Sequence, residues 1–307
     1  SAHRLRPRAG GRAVNGAARF ASLDADDAAG RLMVSDGVVA RDPAQGYVPG
    51  AFVPKLPWRA CEDDEVAALV RAPGERGSLG GSVSVVPMDP DAVAPLRDLA
   101  LRDDVRDPAL AKHVARAIDD LRAYLGTFEP YPAAIRFLYA RVSEAGAATT
   151  SRDERSRAHP ERLAGLHVDS WERRPLAARH LSRNRLCINL GQTARHLLFV
   201  RPTLAEMAAR LERIAPLDRR EDYRGMDVVR SYLSAFPNTA VYRLATKPGE
   251  AYIFPTENIA HDASTADMAS ADVSCAFSGF FSSPQTRAAQ PELAARGGGT
   301  MAVGRFS

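Results

Sequence analysis

The hydrophobic period of this chain changes near Pro132, and that change constrains the fold more than any other feature. From Leu56 to Leu125 the reading is mainly helical with Pro-marked breaks, apolar residues recurring at three- and four-residue steps. The clearest stretch runs from Asp107 to Gly126. Asp107 can cap, Pro108 can take the first helical position, and Leu110, Val114, Ile118, Leu121 and Leu125 then fall on one face. Gly126 follows where a helix C-terminus is expected. After Pro132, IRFLYARV (135–142) is dense in β-branched and aromatic residues and too short for a helix of that character. Similar runs follow at GLHVDSW (165–171), RLCINLG (185–191), RHLLFVR (195–201), TAVYRLA (239–245), EAYIFPT (250–256) and VSCAFSGFF (273–281).

Helices first and short strands after make an α+β arrangement, and many short strands separated by turns predict a sandwich or barrel. One helical segment interrupts them: TLAEMAARLERI (203–214) opens with a Thr cap and carries Leu204, Met207, Leu211 and Ile214 on one face. The expected organisation is a helical or mixed support region over 21–130 and a β-rich core over 131–285 with a helical insert at about 203–238. A loose arm or expression remnant at 1–20 and a tail at 286–307 flank them. No repeat of 20 to 50 residues is visible, which disfavours solenoids and propellers.

Charge excludes little by itself. The formal net charge is +4, from 41 Lys and Arg against 37 Asp and Glu, and Arg4, Arg6, Arg8, Arg12 and Arg19 precede the first acid, Asp24. Without an aromatic-basic stacking platform, this balance does not point to nucleic acid. Residues 1–20 read either as an Arg-rich, acid-poor transit segment or as the loose arm. No apolar signal core and no run of 18 apolar residues occur, so neither export nor a membrane span is expected. Cys61, Cys187 and Cys275 are odd in number and far apart, which disfavours a disulfide framework or zinc knuckle and points to a reducing, cytoplasmic setting. Oligomeric state leaves no mark in this patterning.

Seven histidines can be weighed singly. His3, His159 and His180 sit in Arg-rich polar stretches, and His113 lies one residue from the helix stripe, so solvated or boundary positions explain them. His167 differs, because it alternates with Asp169 and their side chains leave the same face of a strand. One imidazole nitrogen and one carboxylate oxygen can then meet a single metal. His261 is the obvious third ligand, placed in PGEAYIFPTENIAHDAST after a Pro248-Gly249 turn and an aromatic strand. Two histidines and a carboxylate form a facial triad that suits Fe(II) and leaves positions open for O2 and organic ligands. His196 competes, as a replacement for Asp169 or a fourth ligand in a cupin-like site. Arg195 and His196 point to opposite faces, so an inward Arg195 and a ligating His196 exclude one another. Trp171 shares the Asp169 face and either walls a pocket or fills the core, and the facing of Asn189 and Tyr139 depends on register. No G-x-S-x-G elbow, P-loop or kinase set is present. GERGSLGGS (74–82) lacks the Lys-Ser/Thr ending of a phosphate loop, and SRDERSRAHPERLAG (151–165) reads as a solvated loop or as a lid.

On these residues the sequence resembles the Fe(II)/2-oxoglutarate-dependent dioxygenases, the double-stranded β-helix superfamily. There an H-x-D/E motif on the second core strand and a histidine on the seventh hold iron, and the order here matches. The resemblance spans roughly 130–285 and implies a jelly-roll or cupin-like core buttressed by N-terminal helices. By that resemblance IRFLYARV is the first core strand, LHVDSW the second, LCINLG and HLLFV the third and fourth, and His167, Asp169 and His261 are the metal ligands. Many members anchor 2-oxoglutarate with an Arg shortly after the distal histidine, but residues 262–286 contain no Arg or Lys. Some branches use the fourth strand, which makes Arg195 the foremost anchor, with Arg185 and Arg201 weaker; Ser274, Ser278 and Thr265 could add hydroxyls. The resemblance implies Fe(II), 2-oxoglutarate and O2 as cofactor and co-substrates, with decarboxylation coupled to C–H hydroxylation, desaturation or cyclisation of a small-molecule substrate. An iron enzyme of the same fold without 2-oxoglutarate, and a cupin-like metal isomerase or lyase, stay open. Arg152, Arg155, Arg157, Arg162, Arg173, Arg174, Arg179 and Arg183 would suit an acidic substrate such as an amino acid or other carboxylate.

Overall fold

The computed structural model describes residues 17–71, 75, 77–100, 108–129, 131–153, 159–214 and 225–283. The arm up to residue 16, the Asp107 cap, the middle of the 151–165 loop at 154–158 and the tail from 284 lie outside the described residues.

The chain opens with β1 (Arg19–Phe20), α1 (Ala25–Ala29), β2 (Leu32–Ser35), the pair β3 (Val38–Arg41) and β4 (Ala51–Pro54), and β5 (Arg59–Ala60). There follow α2 (Asp63–Leu69), β6 (Ser82–Pro87), α3 (Pro90–Ala100) and α4 (Pro108–Leu125). The later part contributes β7 (Arg136–Ser143), β8 (Asn184–Asn189), β9 (Arg195–Thr203), α5 (Leu204–Glu212) and α6 (Gly225–Ala235). It ends with β10 (Val241–Thr246), β11 (Glu250–Phe254), β12 (Ile259–Ser264) and β13 (Asp272–Gly279). Two core sheets result, ordered β1-β6-β11-β8-β13-β7 and β12-β9-β10-β2-β5, and β3 with β4 forms a separate two-stranded sheet. From β7 onward the chain passes back and forth between the sheets, with β7, β8, β11 and β13 in one and β9, β10 and β12 in the other. This is the winding of a jelly roll, and the fold is α+β with a double-stranded β-helix core.

Period-two alternation explains why the sheets face each other. Leu197 and Phe199 on β9, Tyr242 and Leu244 on β10, and Leu32 and Val34 on β2 meet Cys187, Tyr252, Phe254 and Ala276 from the opposite sheet. The alternate residues of the six-stranded sheet, Leu186, Ile188, Ile253, Val273 and Phe277, pack outward on Val93, Leu96, Ile118, Leu121 and Leu125 of α3 and α4. The outer face of the other sheet is covered by α5 and α6 through Met207, Leu211, Val228 and Leu233. Each such side chain contributes roughly 1.5–3 kcal/mol by leaving water. The Thr203 hydroxyl accepts from Glu206 N while the Glu206 carboxylate accepts from Thr203 N, a reciprocal cap that starts α5.

The support region over 21–130 is mixed: beside its helices, β6 joins one core sheet, next to β1 just before this region, and β2 and β5 join the other. SVSVVP is itself β-branched, and Val83 and Val85 fill the space between the sheets, so tertiary burial decides its conformation. The second expected core strand, GLHVDSW, is extended but makes only one bridge, His167 to His261, rather than a ladder. Its backbone is satisfied elsewhere, with Leu166 N donating to Phe52 O and Asp169 N to Thr256 O.

Candidate metal centre

His167 and His261 are cross-strand partners: His167 N donates to His261 O at 3.0 Å and His261 N to His167 O at 2.8 Å. That pairing brings their rings to a 4.7 Å centroid separation. Asp169 stands two residues on, with Oδ1 4.0 Å from His167 Nε2. One ligand atom from each of the three lies within 4.8 Å of the others. Each distal position has a local cause. Lys247-Pro248-Gly249-Glu250 closes a turn, Glu250 N donating to Lys247 O with Gly249 at φ +76°, and returns the chain as β11 toward His261. Gly165 enters the His167 segment at φ +67°, and a Cβ there would meet Phe52 O at 2.5 Å.

The imidazoles are set for metal binding by their own backbone. His167 Nδ1 lies 2.8 Å from Gly165 O and His261 Nδ1 lies 3.2 Å from Ile259 O. A carbonyl can only accept, so each Nδ1 carries the proton and each Nε2 lone pair is left for a ligand. His261 Nε2 is buried and has no hydrogen-bond partner. Burial and the facing His167 hold the His261 imidazole down at about 3, so the neutral, ligating form prevails. Burial works to raise the Asp169 carboxyl, but the Arg185 guanidinium in contact with it, helped by the facing imidazoles, outweighs burial and holds it at about 2. Arg185 Nη2 donates to Asp169 Oδ2 at 2.5 Å, which ties up one carboxylate oxygen and leaves the other toward the histidines. Two neutral imidazoles and one carboxylate oxygen fit a divalent first-row metal, and the donor set is that of a mononuclear iron site.

The other sequence-derived positions separate clearly. Arg185 is not a loose strand-end charge; it is the Asp169 partner, and Tyr139 OH accepts from its Nη1 at 3.5 Å. Arg195 points between the sheets and is 1% exposed. Its Nη2 donates to Asp272 Oδ2 at 3.1 Å, its Nη1 approaches Cys187 Sγ at 2.6 Å and Tyr252 OH at 3.4 Å, and its Nε is unpartnered. Arg201 lies at the far end of β9 and lines a separate groove of about 760 Å³ with Arg19, Arg210 and Tyr242. That groove contains none of the triad, so size does not locate the chemistry here. His196 is corrected as a ligand, since it faces away from Arg195 and stands outside the triad. Trp171 is no core residue; it is 58% exposed. Tyr139 faces the barrel beside Arg185, whereas Asn189 pins a loop, donating to Thr193 O and Thr246 O and accepting from Gly191 N. Ser274 is buried with an unpartnered hydroxyl on the inner face, Ser278 lines the crevice beside Asp169, and Thr265 is spent on Ala147 N and Glu144 O.

Several contributors escaped sequence reasoning because their partners are remote. Glu257 accepts from Trp171 N at 2.5 Å and, through its other oxygen, from Arg179 Nη1 at 2.9 Å. Arg179 also donates to Asp169 O and Ser170 Oγ, so this pair grips the backbone that carries Asp169. Asp262 accepts from Ser151 N and Ala263 N and sets Oδ2 3.9 Å from His167 Nδ1. Of the described cysteines, all three are free thiols. Among the described residues, no helix is long and apolar enough to cross a membrane.

No family model matches this chain, and no curated protein does. Solved structures similar to it include the Kdo hydroxylase KdoO, a non-heme Fe(II) alphaketoglutarate dependent dioxygenase. Its cobalt(II) complex is 13% identical, with TM-score 0.40, over 74% of this chain and 92% of that chain. Its complex with alphaketoglutarate and Fe(III) is 16% identical, also with TM-score 0.40, over 70% and 84% of the two chains. Similarity at that level carries neither ligand nor substrate across, and the triad stands on its own geometry.

Proposed function

We propose that this chain is a mononuclear non-haem Fe(II) oxygenase that couples 2-oxoglutarate decarboxylation to hydroxylation of a C–H bond in a small molecule. The observation that carries this is the convergence of His167 Nε2, His261 Nε2 and one Asp169 oxygen with both Nδ1 atoms already committed to backbone carbonyls. Bound Fe(II) and 2-oxoglutarate supply the oxidising power, the keto acid being converted with O2 to succinate and CO2.

The protein's own residues hold and orient. Arg185 restrains Asp169 through one oxygen, and Glu257 with Arg179 fixes the backbone on either side of Ser170. Arg195 is the anchor for the distal carboxylate of the keto acid, with Tyr139 and Tyr252 lining the way from the triad. Three buried donors on the inner face, Arg185 Nε, Arg195 Nε and Ser274 Oγ, lack partners, and an oxygen-rich dianion is what such donors suit. Side chains on this face must swing to admit the keto acid, because the crevice at Asp169 measures about 20 Å³.

A second reading keeps the iron and drops the keto acid. It is favoured by one observation, that Asp272 already compensates the Arg195 charge. Anaerobic titration with Fe(II), with and without 2-oxoglutarate, separates the two. A weak visible charge-transfer band that requires both additions is expected, and iron binding without any effect of 2-oxoglutarate would select the second reading.

A further inference from the structure

A groove of about 760 Å³ lies apart from the triad, a volume typical of small-molecule sites. It is bounded by β9, β10, α5 and the end of α6, and it shares no lining residue with the crevice at Asp169. Buried rings stand between the groove and the metal centre. Phe199 stacks on Tyr242 of the groove wall at a centroid separation of 5.6 Å, Phe254 meets Phe199, and His261 packs on Phe254.

The strand period sets a cation in this groove. Tyr242 pairs with Phe199, and Arg201 follows Phe199 by two on β9, so Arg201 and Tyr242 leave the same face of the sheet as diagonal neighbours. The other charges of the groove are engaged. Both oxygens of Glu75 accept from Arg19 Nη1 at 2.8 Å, Glu206 Oε2 accepts from Thr203 N, and Arg210 Nη1 donates to Tyr232 OH at 2.9 Å. Arg201 differs. Its guanidinium makes no hydrogen bond or ion pair among the described residues, its Nε is buried without a partner, and the sequence before Ala17 contains no Asp or Glu to supply one. A half-buried guanidinium without a carboxylate forfeits solvation that an anion would restore. The Tyr242 hydroxyl also has no hydrogen-bond partner among the described residues. Burial pushes the Tyr242 phenol up and the Arg201 charge is the chief opposing influence, which places the two polar tips near one another. Three arginines against two glutamates leave the groove net positive.

We propose that this groove is a binding site for a small organic anion, separate from the metal centre. Its carboxylate or phosphate head takes the Arg201 fork and the Tyr242 hydroxyl, both of which can donate to an oxyanion. Its apolar body lies along Ala235, Phe236 and Pro237, which form the wall at the end of α6. The site stands independently of the iron chemistry, since no member of the triad lines the groove.

The test is calorimetric titration of the full chain, without added metal, with benzoate and phenyl phosphate. Benzyl alcohol serves as the body without a charge and inorganic phosphate as the head without a body. At least one of the two ring-bearing acids is expected to bind saturably at one per chain, and the stronger of them tells a carboxylate from a phosphate head. Benzyl alcohol and inorganic phosphate are each expected to bind at least tenfold more weakly than that acid. Arg201→Gln, with its fold checked by circular dichroism, is expected to weaken the acid at least tenfold. Ala235→Trp fills the groove from an exposed helix end and leaves Arg201 in place, so it too must lose binding, and it carries the test should Arg201→Gln fail to fold. Silence toward both acids, binding of benzyl alcohol or inorganic phosphate as tight as that of the acid, or undiminished binding by either folded variant overturns the proposal.

Discussion

The six-stranded sheet has two buried faces made from the same strands, and they differ in almost everything but burial. Outward, Leu186, Ile188, Val273 and Phe277 meet helices and contain no polar side-chain atom. Inward, the residues alternating with them are Arg185, Cys187, Asp272, Ser274 and Ser278, and some of their donors have no partner. A folding sequence has no reason to bury unpaired donors, each of which costs about 1–3 kcal/mol. Stability alone accounts for the outer face, whereas the inner face calls for a further reason, and the keto acid of the proposed function supplies one.

Substitutions on adjacent residues should break this comparison if it is wrong. Ile188→Ala removes buried methyl groups from the outer face and should cost about 2–5 kcal/mol of unfolding free energy in denaturant, with Fe(II) affinity unchanged in the folded fraction. A loss of iron affinity with little loss of stability would show that the two faces are not separable. Arg195→Lys keeps a charge beside Asp272 but loses the guanidinium fork, so the 2-oxoglutarate requirement for succinate formation should rise about tenfold, roughly 1.4 kcal/mol, with stability little changed. Equal succinate production at limiting 2-oxoglutarate would remove Arg195 as the anchor. Ser274→Ala should not destabilise and should gain up to about 1 kcal/mol, since it removes a buried hydroxyl that has no partner.

The smallest effect concerns His196, on the outer side of β9. Burial and the charge of Arg243 push its imidazole from 6.5 down to about 4. The folded state favours the neutral ring, so its stability is complete above about 6.5 and declines as pH falls toward 4. The apparent Tm of His196→Gln should fall less than that of the parent between those values. Parallel profiles would mean that His196 does not contribute to acid sensitivity.

Most of the later strands and the shared face of His167 and Asp169 were legible because both depend on local alternation, with side chains two residues apart sharing a face; the partnership with His261 came from the resemblance. What stayed illegible depends on remote packing. The four-residue β2 and two-residue β5 carry no periodicity of their own and acquire a conformation only by pairing with β10 and with each other. The grip of Glu257 and Arg179 on the Asp169 backbone joins positions 78 residues apart, and neither residue stands in a motif. Arg185 was legible only as a weaker candidate anchor for the keto acid, and its carboxylate partner emerges only once the His167 segment is laid beside β12. Trp171 shows the limit most clearly: spacing placed it next to Asp169, yet its exposure follows from a turn held by a glutamate far along the chain.

The most direct test of the account is equilibrium Fe(II) binding, measured anaerobically for the parent chain and for His261→Ala, with circular dichroism confirming the fold of both. The account predicts one Fe(II) per chain in the parent and an affinity at least about 100-fold weaker in the variant, since losing a ligand should exceed the 10–100-fold cost of losing a supporting contact. Full occupancy in folded His261→Ala would contradict it.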